Sequence, residues 1–282
     1  MKFIGQYLVI NQNNGKKEMR KIADIKECHE ILLEIAKQFV GICDKHHIKY
    51  YMLGGTMLGA VRHKGFIPWD DDMDFGVMRK DFETLLAALE KELPKQFKVY
   101  TWKNCQNILG HIVKISDERT ITQELYKEGL EPIGINIDIF PLDYAKSDKL
   151  HLDRALVSIW LKRVYAYKFL SLNSRPFLKK IAAAIIKVLL GWVSDEMYMS
   201  WITKLDSCNE GEFIANNNGA WGIKETLPRK VFESSKKYPF EDTEFNGVVD
   251  YDSYLSHLYG NYMQLPPENK QHIHLTGLYW KS

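Results

Sequence analysis

Apolar residues recur every three or four positions from 22 to 43. Ile22, Ile25, Cys28, Leu32, Ile35, Phe39 and Ile42 share one face, which predicts an amphipathic helix. A short, aromatic-rich run from Lys49 to Leu53 meets Gly54-Gly55, the pattern of a buried strand entering a turn. Thr56 to Arg62 predicts one or two helical turns and Met73 to Val77 a second strand. Arg79 to Leu93 returns to helical spacing, with Phe82, Leu85, Leu86 and Leu89 on one side and Pro94 closing it. Gln96–Trp102, His111–Ser116 and Ile133–Phe140 are strand candidates. In the last, Ile133, Ile135, Ile137 and Ile139 fall on one face, Asn136 and Asp138 on the other. From about residue 148 to 208 the chain turns helical and aliphatic, and from about 225 it is rich in aromatics, prolines and loop residues. This order predicts an α+β molecule: a mixed-sheet core over residues 1–145, with a helical region and a C-terminal segment over 146–282 packed on it.

At 282 residues the chain is long enough to bury a core without disulfide or metal staples. Lys and Arg number 38 against 36 Asp and Glu, a balance that gives no support to a nucleic-acid-coating protein. Cys28, Cys43, Cys105 and Cys208 show no CxxC spacing, so reduced, buried thiols are expected rather than a zinc knuckle. Residues 1–20 lack the apolar run and cleavage site of a signal peptide, and no apolar stretch is long enough to span a bilayer. The expected location is the cytoplasm, at the inner face of the membrane.

The densest chemistry lies between Leu53 and Val77. Two glycines allow a tight turn and close approach of the backbone to a ligand. The helix start that follows presents backbone N–H groups to an anion. Thr56 adds a hydroxyl, and Arg62, His63 and Lys64 add cationic or donor groups, a combination that suits phosphate. Four aspartates then fall within five residues: Asp70, Asp71, Asp72 and Asp74. On a strand Asp72 and Asp74 share a face, about 6.6 Å apart, and Asp71 faces away. Their repulsion, on the order of 2.5 kcal/mol at an effective dielectric near 20, is removed by a cation between them. Mg²⁺ suits the pair, with Mn²⁺ as the alternative. Taken alone an aspartate run is a solvated loop; glycine turn, helix start, basic cluster and DxD together are far more specific. Asp138 adds a carboxylate on the polar face of its strand.

The run GGTMLGAVRHKGFIPWDDDMDFGV resembles the signature of LicD-type proteins, bacterial phosphocholine transferases related to the fukutin group. The resemblance implies the nucleotidyltransferase fold related to DNA polymerase beta. Gly54 and Gly55 match its turn, Asp72 and Asp74 its DxD, and Asp138 in INIDIFPLD its third carboxylate. HIVKISDERT, with Lys114 where the family tends to carry a basic residue, and the stretch from Tyr238 to His274 are also similar. Asn261 departs from the aspartate often found after YG.

The resemblance implies a transferase that takes phosphocholine, or a related phospho-alcohol, from CDP-choline or another CDP-alcohol to a hydroxyl of a cell-surface glycan, releasing CMP. That acceptor is expected to be lipid-linked: lipopolysaccharide, teichoic acid or capsule. Asp72, Asp74 and Asp138 would be catalytic and metal-binding. Gly54, Gly55, Thr56, Arg62, His63, Lys64 and Lys114 would hold nucleotide and phosphate. Choline carries a fixed positive charge, for which Tyr251, Tyr254, Tyr259, Tyr262, Trp69 and Trp280 are aromatic candidates. Phe177–Val193, interrupted by Lys179, Lys180 and Lys187, reads as a buried helix packed near a membrane face, a peripheral contact. Two alternatives compete: a nucleotidyltransferase passing NMP from an NTP to a small molecule, and a non-catalytic nucleotide- or glycan-binding module.

Overall fold

The isoleucine-rich run becomes the strand around which the molecule is built. The structure is a computed structural model describing residues 2–4, 7–11, 16–105, 108–124, 133–166, 168, 177–267, 269, 271 and 275–281. Its N-terminal elements are β1 (Lys2–Ile4), β2 (Tyr7–Asn11), β3 (Lys16–Lys21), α1 (Ile25–Lys45), β4 (Tyr50–Met52), α2 (Gly54–Arg62), β5 (Asp74–Met78) and α3 (Arg79–Glu92). There follow β6 (Phe97–Tyr100), β7 (Val113–Asp117), β8 (Thr120–Glu124), β9 (Asn136–Ala145), α4 (Lys149–Ala166), α5 (Phe177–Leu189) and α6 (Asp195–Asp206). The chain closes with β10 (Phe213–Ala215), β11 (Thr226–Pro228), β12 (Ser235–Phe240), β13 (Thr243–Val248), α7 (Tyr251–Tyr259) and β14 (Leu275–Trp280). The architecture is mixed α and β, as the order of patterns predicts.

The central sheet is mixed. β5 pairs parallel with β9, and β4 pairs antiparallel with β5. On the other edge of β9, β7 pairs with its first half and β10 with its last three residues, both antiparallel. β6 and β11 extend these two branches. A second sheet runs β1-β2-β3-β14-β8, and β12 and β13 form a hairpin.

Asp24 caps α1, its carboxylate accepting from the Lys26 N–H. The α1 face bearing Leu32, Ile35 and Phe39 is fully buried, and Phe39 packs on Tyr50 and Phe75 of the sheet. Helix α3 stops at Glu92 because Leu93, preceding Pro94, is extended (φ −62°, ψ 139°). The four cysteines are free. The loop-like reading of the region after 225 is replaced, among the described residues, by four strands and a helix. Tyr254, Leu255 and Leu258 of α7 join the same core as α1.

The helical stretch 148–208 packs on the loop before β7. Tyr165 and Tyr198 stack at 3.8 Å, and the Tyr198 hydroxyl donates to the Leu109 carbonyl. Buried Asp206 accepts from Ser158 and Lys162, tying α6 to α4. The expectation of a buried α5 is corrected. Ile185, Val188, Leu189 and Trp192 are 54%, 79%, 63% and 68% exposed. Periodicity locates an apolar face but does not say whether protein covers it. No helix among the described residues is long and apolar enough to cross a membrane.

Arg79, the first residue of α3, forks onto Asp143 of β9 at 2.7 and 2.8 Å. Asp143 is 1% exposed, and burial raises its pKa despite the guanidinium. Replacing Arg79 with Met strands this carboxylate. Arg79→Met is expected to lower stability by about 3 kcal/mol, read as a lower urea midpoint at unchanged slope.

Candidate active site

The parallel register of β5 and β9 sets Asp74 directly beside Asp138, and the antiparallel register of β7 sets Lys114 on the far side of Asp138. A carboxylate, a carboxylate and an ammonium thus stand in a row across three strands. Lys114 Nζ donates to both Asp138 oxygens, at 2.5 and 2.7 Å, and to Asn136 Oδ1 at 3.1 Å.

Asp72 and Met73 lie just before the first residue of β5, so strand alternation does not govern the start of the aspartate run. Asp71 is buried. Asp70, Asp71 and Asp72 each bring a carboxylate oxygen within 4.8 Å of the others. Among the described residues this is the acidic group compact enough to grip one ion; Asp72, Asp74 and Asp138 do not form such a group. The expectation that Asp71 faces away is corrected by this turn.

Each glycine of the pair has its own geometric duty. Gly54 opens α2 at φ +48°, a left-handed conformation that favours glycine. A Cβ on Gly55 would lie 2.7 Å from Asp70 Oδ2, so the missing side chain makes room for that carboxylate at the N-terminus of α2. The Gly54 N–H donates to the Tyr254 hydroxyl at 2.9 Å and so does not face the cleft freely. Thr56 is 5% exposed, and its Oγ1 accepts from the Asp74 N–H at 2.8 Å. It braces the DxD turn from beneath.

These residues open into a cleft of about 300 Å³. Gly54, Gly55, Asp72, Asp74 and Asp138 line it, together with Asn216, Asn218, Trp221, Glu225 and Tyr259. Arg62, His63 and Lys64 do not. Eight residues of helix, about 12 Å of rise, separate Arg62 from Gly54. Arg62 donates to His63 and to the Tyr262 carbonyl, and Lys64 donates to the Val61 carbonyl. Of the aromatic candidates only Tyr259 lines the cleft. Trp69 packs on His63, Tyr251 on Tyr238, and Trp280 bonds Glu27. The last residues of the similar C-terminal stretch, 272–274, lie outside the described residues.

Electrostatics mark the same place. Burial, then the charges of Asp72 and Asp71, pushes the Asp70 carboxyl up to about 8. Burial together with Asp72, Asp138 and Asp70 holds Asp74 well above the usual carboxylate range. The carboxylates cannot all ionise in this small volume without a compensating cation. An oxygen-only donor set of this charge fits a hard divalent ion.

Two residues escape sequence reasoning. Trp221 meets Tyr259 edge-to-face at 5.6 Å, forming an aromatic corner next to Glu225. Both polar atoms of the Asn218 amide are buried without a hydrogen-bond partner, although the residue lines the cleft. They sit in an irregular segment where no periodicity points to them.

A second cleft, of about 310 Å³, opens at the opposite ends of β5 and β9, beside Met78 and Tyr144. It contains none of the sequence-selected acids.

Residues 47–184 match the family model described as LicD/FKTN/FKRP, nucleotidyltransferase domain. That span holds Gly54, Gly55, Asp72, Asp74, Lys114 and Asp138, but not the wall from Asn216 to Glu225. The chain is 26% identical over 268 residues to the lipopolysaccharide cholinephosphotransferase LicD of Haemophilus influenzae, covering 91% of this chain and 97% of that protein. It is 30% identical over 127 residues to human ribitol 5-phosphate transferase FKRP, covering 45% of this chain and 20% of FKRP. A 68-residue stretch is 43% identical to an uncharacterised protein of Rickettsia prowazekii, covering 24% of this chain and 21% of that one. With the aspartates of the cleft inside the matched span and a bacterial LicD aligned over 91% of the chain, residues 47–184 form a LicD-family domain.

Proposed function

We propose that this protein transfers phosphocholine, or a related phospho-alcohol, from a CDP-alcohol to a hydroxyl of a cell-surface glycan, and that its core adopts the nucleotidyltransferase fold. The observation that carries the reading is the cleft in which Asp72, Asp74 and Asp138 meet the glycine turn of α2. The likeness to a lipopolysaccharide cholinephosphotransferase and, over a shorter span, to a ribitol 5-phosphate transferase supports the reaction class.

In this reading the glycan hydroxyl attacks the phosphorus that bears the alcohol. The bond from that phosphorus to the bridging oxygen breaks, and CMP leaves with the electron pair. Such a transfer needs alignment and charge neutralisation more than covalent help. Asp138 stands by as acceptor of the hydroxyl proton, oriented by Lys114. Lys114 also offsets charge near the leaving group. Mg²⁺ or Mn²⁺ would be held from Asp72, which belongs both to the compact group with Asp70 and Asp71 and to the cleft wall it shares with Asp74 and Asp138. The ion, when bound, neutralises diphosphate oxygens as negative charge develops. Asn218 offers the donor its unsatisfied amide. Trp221, Tyr259 and Glu225 suit the quaternary ammonium of choline.

CMP release from CDP-choline, CDP-ribitol and CDP-glycerol, with Mg²⁺ and with EDTA, tests the reaction. EDTA-sensitive CMP from one donor is the expected result; NTP consumption with pyrophosphate release instead would establish the nucleotidyltransferase alternative. Asp72→Asn and Asp74→Asn are expected to abolish CMP release while circular dichroism stays native. Near-wild-type turnover in either would end the metal assignment.

The raised carboxyls set a pH dependence. A carboxyl whose folded pKa exceeds its unfolded value adds stability at low pH and loses it as pH climbs through the folded pKa. For Asp70 this loss runs from about 3.8 to about 8. The divalent ion binds the ionised form, so its apparent affinity is expected to rise across that window and level off above about pH 8. Thermal melts with Mg²⁺ and with EDTA read this as a metal-induced rise in Tm that grows with pH.

Trp221→Ala is expected to raise KM for CDP-choline roughly tenfold, the worth of one cation–π contact, with a smaller change for uncharged CDP-ribitol. Equal effects on both donors would remove the aromatic corner from the choline reading.

A further inference from the structure

Helix α5 wears its amphipathicity inside out. Ile181, Ile185, Val188 and Leu189 recur at helical spacing, Trp192 follows in the turn after the helix, and all five are exposed, from 43% to 79%. The burial comes from the turn that follows the helix, where Leu190 and Val193 join the small core around Tyr165 and Tyr198. Lys180 and Lys187, seven residues apart, run along one edge of the apolar stripe. Soluble proteins seldom expose so continuous an apolar face without something to cover it.

The charge pattern indicates what covers it. Between Asp153 and Asp195 the sequence carries eight Lys and Arg and no Asp or Glu, in a chain whose formal net charge is only +2. The rest of the chain is therefore net acidic, and the excess positive charge lies in the stretch of α4 and α5, three of the eight cations being lysines of α5 itself. Lys162 is committed to Asp206, but Lys180 and Lys187 flank the stripe itself. A second copy of the chain would bring the same positive charge to the contact and be repelled. An anionic lipid surface answers both features, since apolar residues enter the acyl boundary while lysines meet headgroups. Trp192 at the end of the stripe is the residue type that settles at a bilayer interface. With thirteen residues, about 20 Å long, α5 is too short to cross the hydrocarbon.

We infer that α5 docks this protein flat on a bilayer rich in anionic headgroups. Docking rests on the helix and its charge rather than on the transferase reading, although it would bring the cleft to a lipid-linked acceptor.

The test is flotation of the full chain with vesicles of equal phosphatidylglycerol and phosphatidylcholine, or of phosphatidylcholine alone, with no donor or acceptor present. The protein is expected to float with the first and about tenfold less with the second, the loss of one or two lysine–headgroup attractions. Val188→Ser combined with Leu189→Ser, both at exposed positions, is expected to keep the wild-type melting temperature and lose roughly tenfold or more of the bound fraction. Lys180→Gln with Lys187→Gln should weaken binding to the anionic vesicles and flatten its salt dependence. Wild-type protein that stays at the bottom of the gradient with both vesicles overturns the inference. So does a serine variant that floats like wild type. Light scattering that shows a dimer abolished by the serine variant would assign the stripe to a second copy and overturn it equally. Because CMP release is scored separately, failure here leaves the reaction standing, and failure there leaves the docking standing.

Discussion

The constraint on which the site depends is the parallel pairing of β5 with β9. It sets Asp74 beside Asp138 in a cleft that Asp72 also lines, with Asp70 close behind Asp72. Like charges at this spacing repel, and partial burial removes the water that would screen them. The surroundings answer that constraint residue by residue. Lys114 reaches Asp138 from the next strand. Thr56 holds the Asp74 backbone. Gly55 gives up its side chain so that Asp70 can lie at the positive end of α2. One ammonium and one helix end do not balance four carboxylates, and the raised Asp70 and Asp74 carboxyls record the excess. The local misfit is the feature that suits a cation and a diphosphate.

The cost of that charge is met by an apolar core that reaches into every part of the chain. Phe39, Tyr50 and Phe75 lock α1 onto the sheet from behind the acids. Tyr254 of α7 enters the same core while its hydroxyl accepts from Gly54. A helix residue two hundred positions downstream in part positions the glycine turn. The C-terminal residues are thus structural partners of the site as well as its wall, and the matched family span alone does not close the cleft.

What was legible in the sequence follows from which forces are local. α1 and α3 could be read because each buries one face, and β5 and β9 because short apolar runs bury nearly whole strands. The DxD, the glycine pair and Asp138 were legible because their residue types are costly anywhere else. Lys114 was legible only through the family resemblance. Arg62, His63 and Lys64 are close to Gly54 in sequence and lie outside the cleft lining, since a helix carries its two ends apart. Trp221 and Asn218 were invisible for the converse reason. They reach the cleft through an irregular segment whose path is set by β10 pairing with β9, a contact spanning about seventy positions.

Helix α5 shows how one pattern serves two environments. An apolar stripe is the same signal whether protein or lipid covers it, so the sequence alone favoured the commoner outcome, burial. Two further facts separate the cases. Leu190 and Val193, in the turn just after the helix, already anchor its end in the core, so the stripe is surplus to that anchoring. The charges on the helix itself have one sign, whereas protein contacts of this size are usually complemented by both. A buried helix needs no such segregation. A helix that meets an anionic surface does, because each lysine near the headgroups adds attraction only if no carboxylate beside it cancels the field.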